Sequence, residues 1–219
     1  MSALFDAARD LQTLLEMRGW RFCFIGGLAV LRWGEPRFTR DVDVTLLCPF
    51  GREDEVSGPL LEAGYLGRIS DVREFARRNR VLLLQSPDGV PIDIALAALP
   101  FEEDLVERSS LFEFEARASL RTCSAEDPMV LKLFAFRPRE LLDAETIAGR
   151  QRESLNFARS LVQFWQHIFR DVLDVLFERP QLWSLRSADW VEGRGLRPVR
   201  IRRLNRAVYR AARSGGIKN

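Results

Sequence analysis

Gly26-Gly27, followed at a distance by Arg37-Phe38-Thr39-Arg40-Asp41-Val42-Asp43-Val44, is the stretch on which the reading of this chain turns. Residues two apart in a strand point to one face. Asp41 and Asp43 therefore project together, while Val42 and Val44 turn the other way into a core. Two carboxylates on one face repel each other unless a positive charge stands between them. A hard divalent cation is the usual answer, because it takes carboxylate oxygens. The glycine turn ahead of them offers backbone N–H groups to a phosphate. Together these residues read as a metal–nucleotide site.

Working outward, Val81-Leu-Leu-Leu-Gln85 and Val90-Pro-Ile-Asp-Ile-Ala95 flank Ser86-Pro-Asp-Gly89. Asp-Gly supplies a turn with positive φ, so the segment predicts a β-hairpin. Asp93 sits between Ile92 and Ile94, as Asp43 sits between its valines. If the two strands are neighbours, Asp41, Asp43 and Asp93 share one face. Three such carboxylates suit two-metal phosphoryl chemistry. They could also hold calcium structurally, but no EF-hand loop is present.

The 219 residues are 47% hydrophobic and 29% charged, with net charge +2, an ordinary globular balance. No apolar run reaches eighteen residues and the N-terminus lacks signal-peptide character, so a cytoplasmic protein with no membrane partner is expected. Cys23, Cys48 and Cys123 are far apart and set among apolar residues. They read as buried free thiols. One histidine, His167, excludes a multi-histidine metal site. Lys132 and Lys218 are the only lysines, against nine arginines between Arg186 and Arg213 alone. That basic tail fits a nucleic-acid backbone, a solvated helix or a poorly ordered end.

Helical spacing of Leu4, Phe5, Ala8, Leu11 and Leu15 predicts a first helix ending at Gly19. Phe22 to Ile25 and Asp41 to Leu47 are predicted strands, with a short helix from Leu28 to Trp33. Residues 53–64 and 101–109 are predicted helices, and 112–123 holds one or two strands. Beyond Asp127-Pro128 the pattern is helical, including 139–150 and an amphipathic run over 155–177. The expected fold class is α+β, a small mixed sheet with flanking helices and then a helical C-terminal region. The expected divisions are a core over 1–125, a helical region over 126–180 and a basic tail over 181–219.

The pattern Gly26-Gly27-x9-Arg37-x-Thr39-x-Asp41-x-Asp43, with Asp93, resembles the nucleotidyltransferases of the DNA polymerase β superfamily. It is most similar to the group of AbiEii/AbiGii-type toxin nucleotidyltransferases. The segment from Glu126 through Lys132, Arg137, Arg139 and Glu140 to Asp143 resembles a lysine-bearing helix and the basic and acidic motif that follows it in that group. The resemblance spans roughly residues 20–150. It implies that Asp41, Asp43 and Asp93 bind magnesium or manganese, with Asp93 as third acid and general base. It implies that Gly26, Gly27, Arg37, Thr39, Lys132 and Arg137 contact the nucleotide. Arg139 and Asp143 are weaker candidates. Leu28 stands where many members have a serine that helps hold a phosphate.

The expected activity is transfer of a nucleoside monophosphate from a nucleoside triphosphate to an acceptor hydroxyl, releasing pyrophosphate. The acceptor could be tRNA or another RNA, and the protein could be the toxin of a toxin–antitoxin pair with an antitoxin partner. Transfer to a small molecule, or a non-catalytic nucleotide- or protein-binding module on the same fold, are the rival readings.

Overall fold

The structure is a computed structural model that describes residues 3–114, 118–135, 138–151 and 154–155. Residues 1–155 form one compact unit. The readings made for Arg137, His167, the 155–177 run and the basic tail lie outside the described residues.

The described residues form α1 (Ala3–Met17), β1 (Phe22–Phe24), α2 (Gly26–Trp33), β2 (Val42–Leu47), α3 (Glu53–Glu62), β3 (Leu66–Gly67), α4 (Val72–Asn79), β4 (Val81–Gln85), β5 (Pro91–Ala97), α5 (Pro100–Glu107), β6 (Ser110–Glu113), β7 (Ser119–Thr122), α6 (Glu126–Ala135) and α7 (Pro138–Gln151). The strands form one mixed sheet in the order β3-β4-β5-β2-β1-β7-β6. β2 lies parallel to β5 and antiparallel to β1, while β4 and β5 form the antiparallel hairpin. The fold class is α+β, as expected.

Alternation builds the centre of this sheet. Val42, Val44 and Leu46 on β2 and Ile92, Ile94 and Leu96 on β5 are buried on one face and join a single core with α1. Burying a side chain of this size contributes roughly 1.5–3 kcal/mol, so a register slip of one residue would exchange that core for the acids. On α1, Phe5, Ala8, Leu11 and Leu15 make the buried stripe, and Gly19 follows with φ +66°. Cys23, Cys48 and Cys123 are buried free thiols, and burial pushes all three thiols up from their ordinary pKa.

Two elements had no sequence signal. β3 has only two residues and lies at the sheet edge. In α4 only Val72 and Ala76 are buried, among charged neighbours. It is held by the Asp71 cap, which accepts from Glu74 N–H at 3.2 Å. The predicted 53–64 helix ends at Glu62 and keeps Pro59 inside it.

Polar side chains clamp helices to their neighbours at two places. Gln12 is buried on α1. Its amide donates to Ser119 O at 3.0 Å and accepts from Arg121 N–H at 2.9 Å, where β7 has little pairing with β1. At the other side, α7 lies against the end of α2. Arg150 donates to Gly34 O at 2.6 Å and Gln151 to Trp33 O at 2.8 Å. These carbonyls belong to the set a helix end leaves without partners. No helix among the described residues is long and apolar enough to cross a membrane.

Candidate active site

The parallel pairing of β2 and β5 makes Asp43 and Asp93 register partners. The row continues across β4, because Leu83 is the partner of Asp93 and Leu83 O accepts from Arg68 N–H at 2.9 Å. Its other end is Ile25, whose N–H donates to Asp43 O at 2.9 Å. Asp41 lies just ahead of β2 and is exposed. The structure thus brings Asp41, Asp43 and Asp93 to one wall of a cavity of about 800 Å³. Gly26, Gly27, Arg37, Thr39 and Lys132 also line it.

The glycines open α2 rather than forming a separate loop. Gly26 has φ +54°, and a Cβ there would overlap the Asp43 carboxylate. A Cβ on Gly27 would overlap the Thr39 hydroxyl. Both glycines therefore serve close approach, letting the positive end of α2 back onto the acid strand. Gly27 N–H reaches Asp43 Oδ2 at 3.4 Å. Thr39 donates to Asp41 Oδ1 at 3.1 Å. Leu28 is fully buried in the core and does not line the cavity.

Asp43 is short of positive charge. Burial and the neighbouring Asp41 carboxylate push its pKa up, against the Gly27 N–H and the more distant Lys132. Asp93 is paired with Arg68, an ion pair that joins two partly exposed side chains. Sequence reasoning missed Arg68, since it gains meaning only where β3 closes the sheet edge. Among the described residues, no three carboxylate, cysteine or histidine side chains converge as a ready metal cage. The physical reason is local: Asp93 is turned to Arg68 and Asp41 to Thr39. The oxygen donors still suit a hard cation, with Asp41 and Asp43 as the pair whose repulsion it would relieve.

Opposite this wall stands a cluster of reverse character. Asp143, 5% exposed, accepts from Arg37 Nε at 2.8 Å, from Arg37 Nη2 at 2.9 Å and from Lys132 Nζ at 2.7 Å. Lys132, 7% exposed, also donates to Glu140 at 2.8 Å. Burial alone would raise the Asp143 pKa, but hydrogen bonds from Arg37 and Lys132 bring it below the ordinary carboxylate value. Arg37 thus braces α7 in this structure, and Lys132 reaches the cavity already paired. The residues 106 positions apart in the Arg37–Asp143 pair share no local pattern.

No family model and no curated protein sequence matches the chain. Among solved structures, the lincosamide antibiotic adenylyltransferase LnuA with lincomycin bound is 14% identical at TM-score 0.46, over 65% of this chain and 94% of that one. The antibiotic-resistance factor ANT(2'')-Ia is 14% identical at TM-score 0.49, over 81% of this chain and 96% of that one. An antigenic nucleotidyltransferase-like protein from Paracoccidioides brasiliensis is 14% identical at TM-score 0.44, over 82% and 90%.

Proposed function

We propose that this chain is a magnesium-dependent nucleotidyltransferase of the DNA polymerase β superfamily, nearest in its order of motifs to the AbiEii/AbiGii-type group. One observation carries the reading: Asp43 is half-buried, next to Asp41, in register with Asp93 and backed by the N-terminus of a glycine-opened helix. Asp41 and Asp43 would hold magnesium or manganese, and Asp93 would add an oxygen once parted from Arg68. When bound, the metal offsets charge on the triphosphate and aids departure of pyrophosphate.

The chain's own residues orient the reactants. An acceptor hydroxyl attacks the α-phosphorus, its O–P bond forms, and the bond to the bridging oxygen of pyrophosphate breaks. Asp93 or a nearby water takes the hydroxyl proton. Arg139, on the cavity lining, meets the negative charge of the triphosphate. The acceptor is an RNA such as tRNA, which fits the basic tail, or a small molecule. A growth-arresting toxin with a protein antitoxin is the biological role that the first acceptor suggests.

Incubation with each α-labelled triphosphate, magnesium and total cellular RNA or lysate tests the reading. Label should enter a macromolecular or small-molecule fraction, and Asp41→Asn/Asp43→Asn should abolish it. Undiminished labelling by that double variant would overturn the assignment. The Arg68–Asp93 pair favours one rival, a binding module without turnover. Calorimetric binding of a triphosphate with no pyrophosphate released over long incubation would support that rival.

A further inference from the structure

From Arg37 to Arg40 the chain is in no helix or strand, Asp41 stands at a bend ahead of β2, and the side chains of this segment divide by their contacts into two sets. Arg37 goes to Asp143, Thr39 to Asp41 and Gly27, and Asp43 to Gly27 N–H. Phe38 and Arg40 make none of these contacts, and Phe38 is 75% exposed. It is the one aromatic residue among the described residues lining the cavity. The Arg40 guanidinium lies 5.6 Å from its ring centroid. Its backbone is tied from both sides, since Phe38 O accepts from Arg37 at 3.4 Å and, at the long limit, from Arg139 at 3.5 Å.

We infer that Phe38, with Arg40 beside it, is the platform on which the base of the nucleoside triphosphate stacks. This rests on the nucleotidyltransferase reading and names its base subsite. An aromatic ring held at the wall of a polar cavity exposes apolar surface that a flat ligand would cover. Base–aromatic stacking accepts any base, because each has a π-face, and an adjacent guanidinium adds a cation–π component. Three residues separate Phe38 from Asp41, a chain length of at most about 10 Å. That is the scale on which a nucleotide holds its base away from its phosphates. A polynucleotide strand would ask for several such platforms in a row, and the cavity lining offers one ring.

Calorimetry on the full chain with magnesium, using ATP, GTP, CTP, UTP and inorganic tripolyphosphate, tests this. The wild type should bind the nucleoside triphosphates more tightly than tripolyphosphate, and purines better than pyrimidines. Phe38→Ala should weaken nucleoside triphosphates about tenfold, leave tripolyphosphate unchanged and keep the wild-type Tm. Phe38→Trp should restore the affinity. Equal nucleotide affinities in wild type and Phe38→Ala would overturn the subsite while leaving the proposed chemistry standing. Unchanged nucleotide affinity with lost labelling of the acceptor would also overturn it, assigning the ring to the acceptor. Absence of any triphosphate or tripolyphosphate binding by the wild type would overturn both readings.

Discussion

Asp43 on β2 and Asp143 on α7 stand under opposite conditions, the first lining the cavity and the second bound to two of its lining residues, Arg37 and Lys132. Asp43 is half-buried with another carboxylate beside it and a single long N–H contact, and its pKa is raised. Asp143 is buried against two cations at 2.7 to 2.9 Å, and its pKa is lowered. The contrast separates a place that needs a ligand from a place that is finished. A carboxylate left short of charge at neutral pH is where a cation would gain most. A carboxylate already saturated with donors works as a fastener between elements distant in sequence.

The largest effect expected from this contrast is structural. Asp143→Ala strips Arg37 and Lys132 of a buried partner and should destabilise the fold by about 3–5 kcal/mol, read by urea or thermal unfolding. A loss below about 1 kcal/mol would mean that the α7 cluster is not a fastener. Asp43→Asn should do the reverse. Labelling from triphosphate should fall roughly 10²–10³-fold, while the Tm in chelator should hold or rise because an under-compensated charge is gone. A marked fall in Tm would place Asp43 in the same class as Asp143.

Gly26→Ala brings in a Cβ that overlaps Asp43 and a strained φ, and should cost about 2 kcal/mol or more. Wild-type stability in that variant would show that α2 can back away from β2 freely. Magnesium should raise the Tm of the wild type by the linkage of binding to folding and leave Asp41→Asn/Asp43→Asn unmoved. The smallest effect is in pH. The folded Asp143 pKa is depressed, so its contribution is complete above its unfolded value near 4 and fades as pH falls through the lower folded value. Below about pH 4, wild-type stability should decline more steeply than that of Asp143→Asn.

The acid strands were legible because alternation is a local signal. Val42, Asp43 and Val44, and Ile92, Asp93 and Ile94, state their own faces, and Asp88-Gly89 closes the hairpin that brings β5 into place. The fastener was not legible in that way. Arg37 and Asp143 meet only because α7 docks on the end of α2. Arg68 reaches Asp93 from just past a two-residue edge strand with no pattern of its own. Leu28 was read as a lost phosphate contact, yet its side chain lies on the core side of α2, where serine would leave a buried hydroxyl in apolar surroundings.

The short helix α2 is tied at both ends. Its first turn backs onto Asp43, and Trp33 O and Gly34 O beyond it are gripped by Arg150 and Gln151. Eight residues of helix are about 12 Å long and stiff. Mechanically, α2 is a strut between α7 and the acid strand. A displacement of α7 would reach Asp43 through these ties, and a ligand drawn to Asp43 would load α7 in return. Any coupling between the two sites must be reciprocal. A partner that grips α7 would thereby act on the acid strand without entering the cavity.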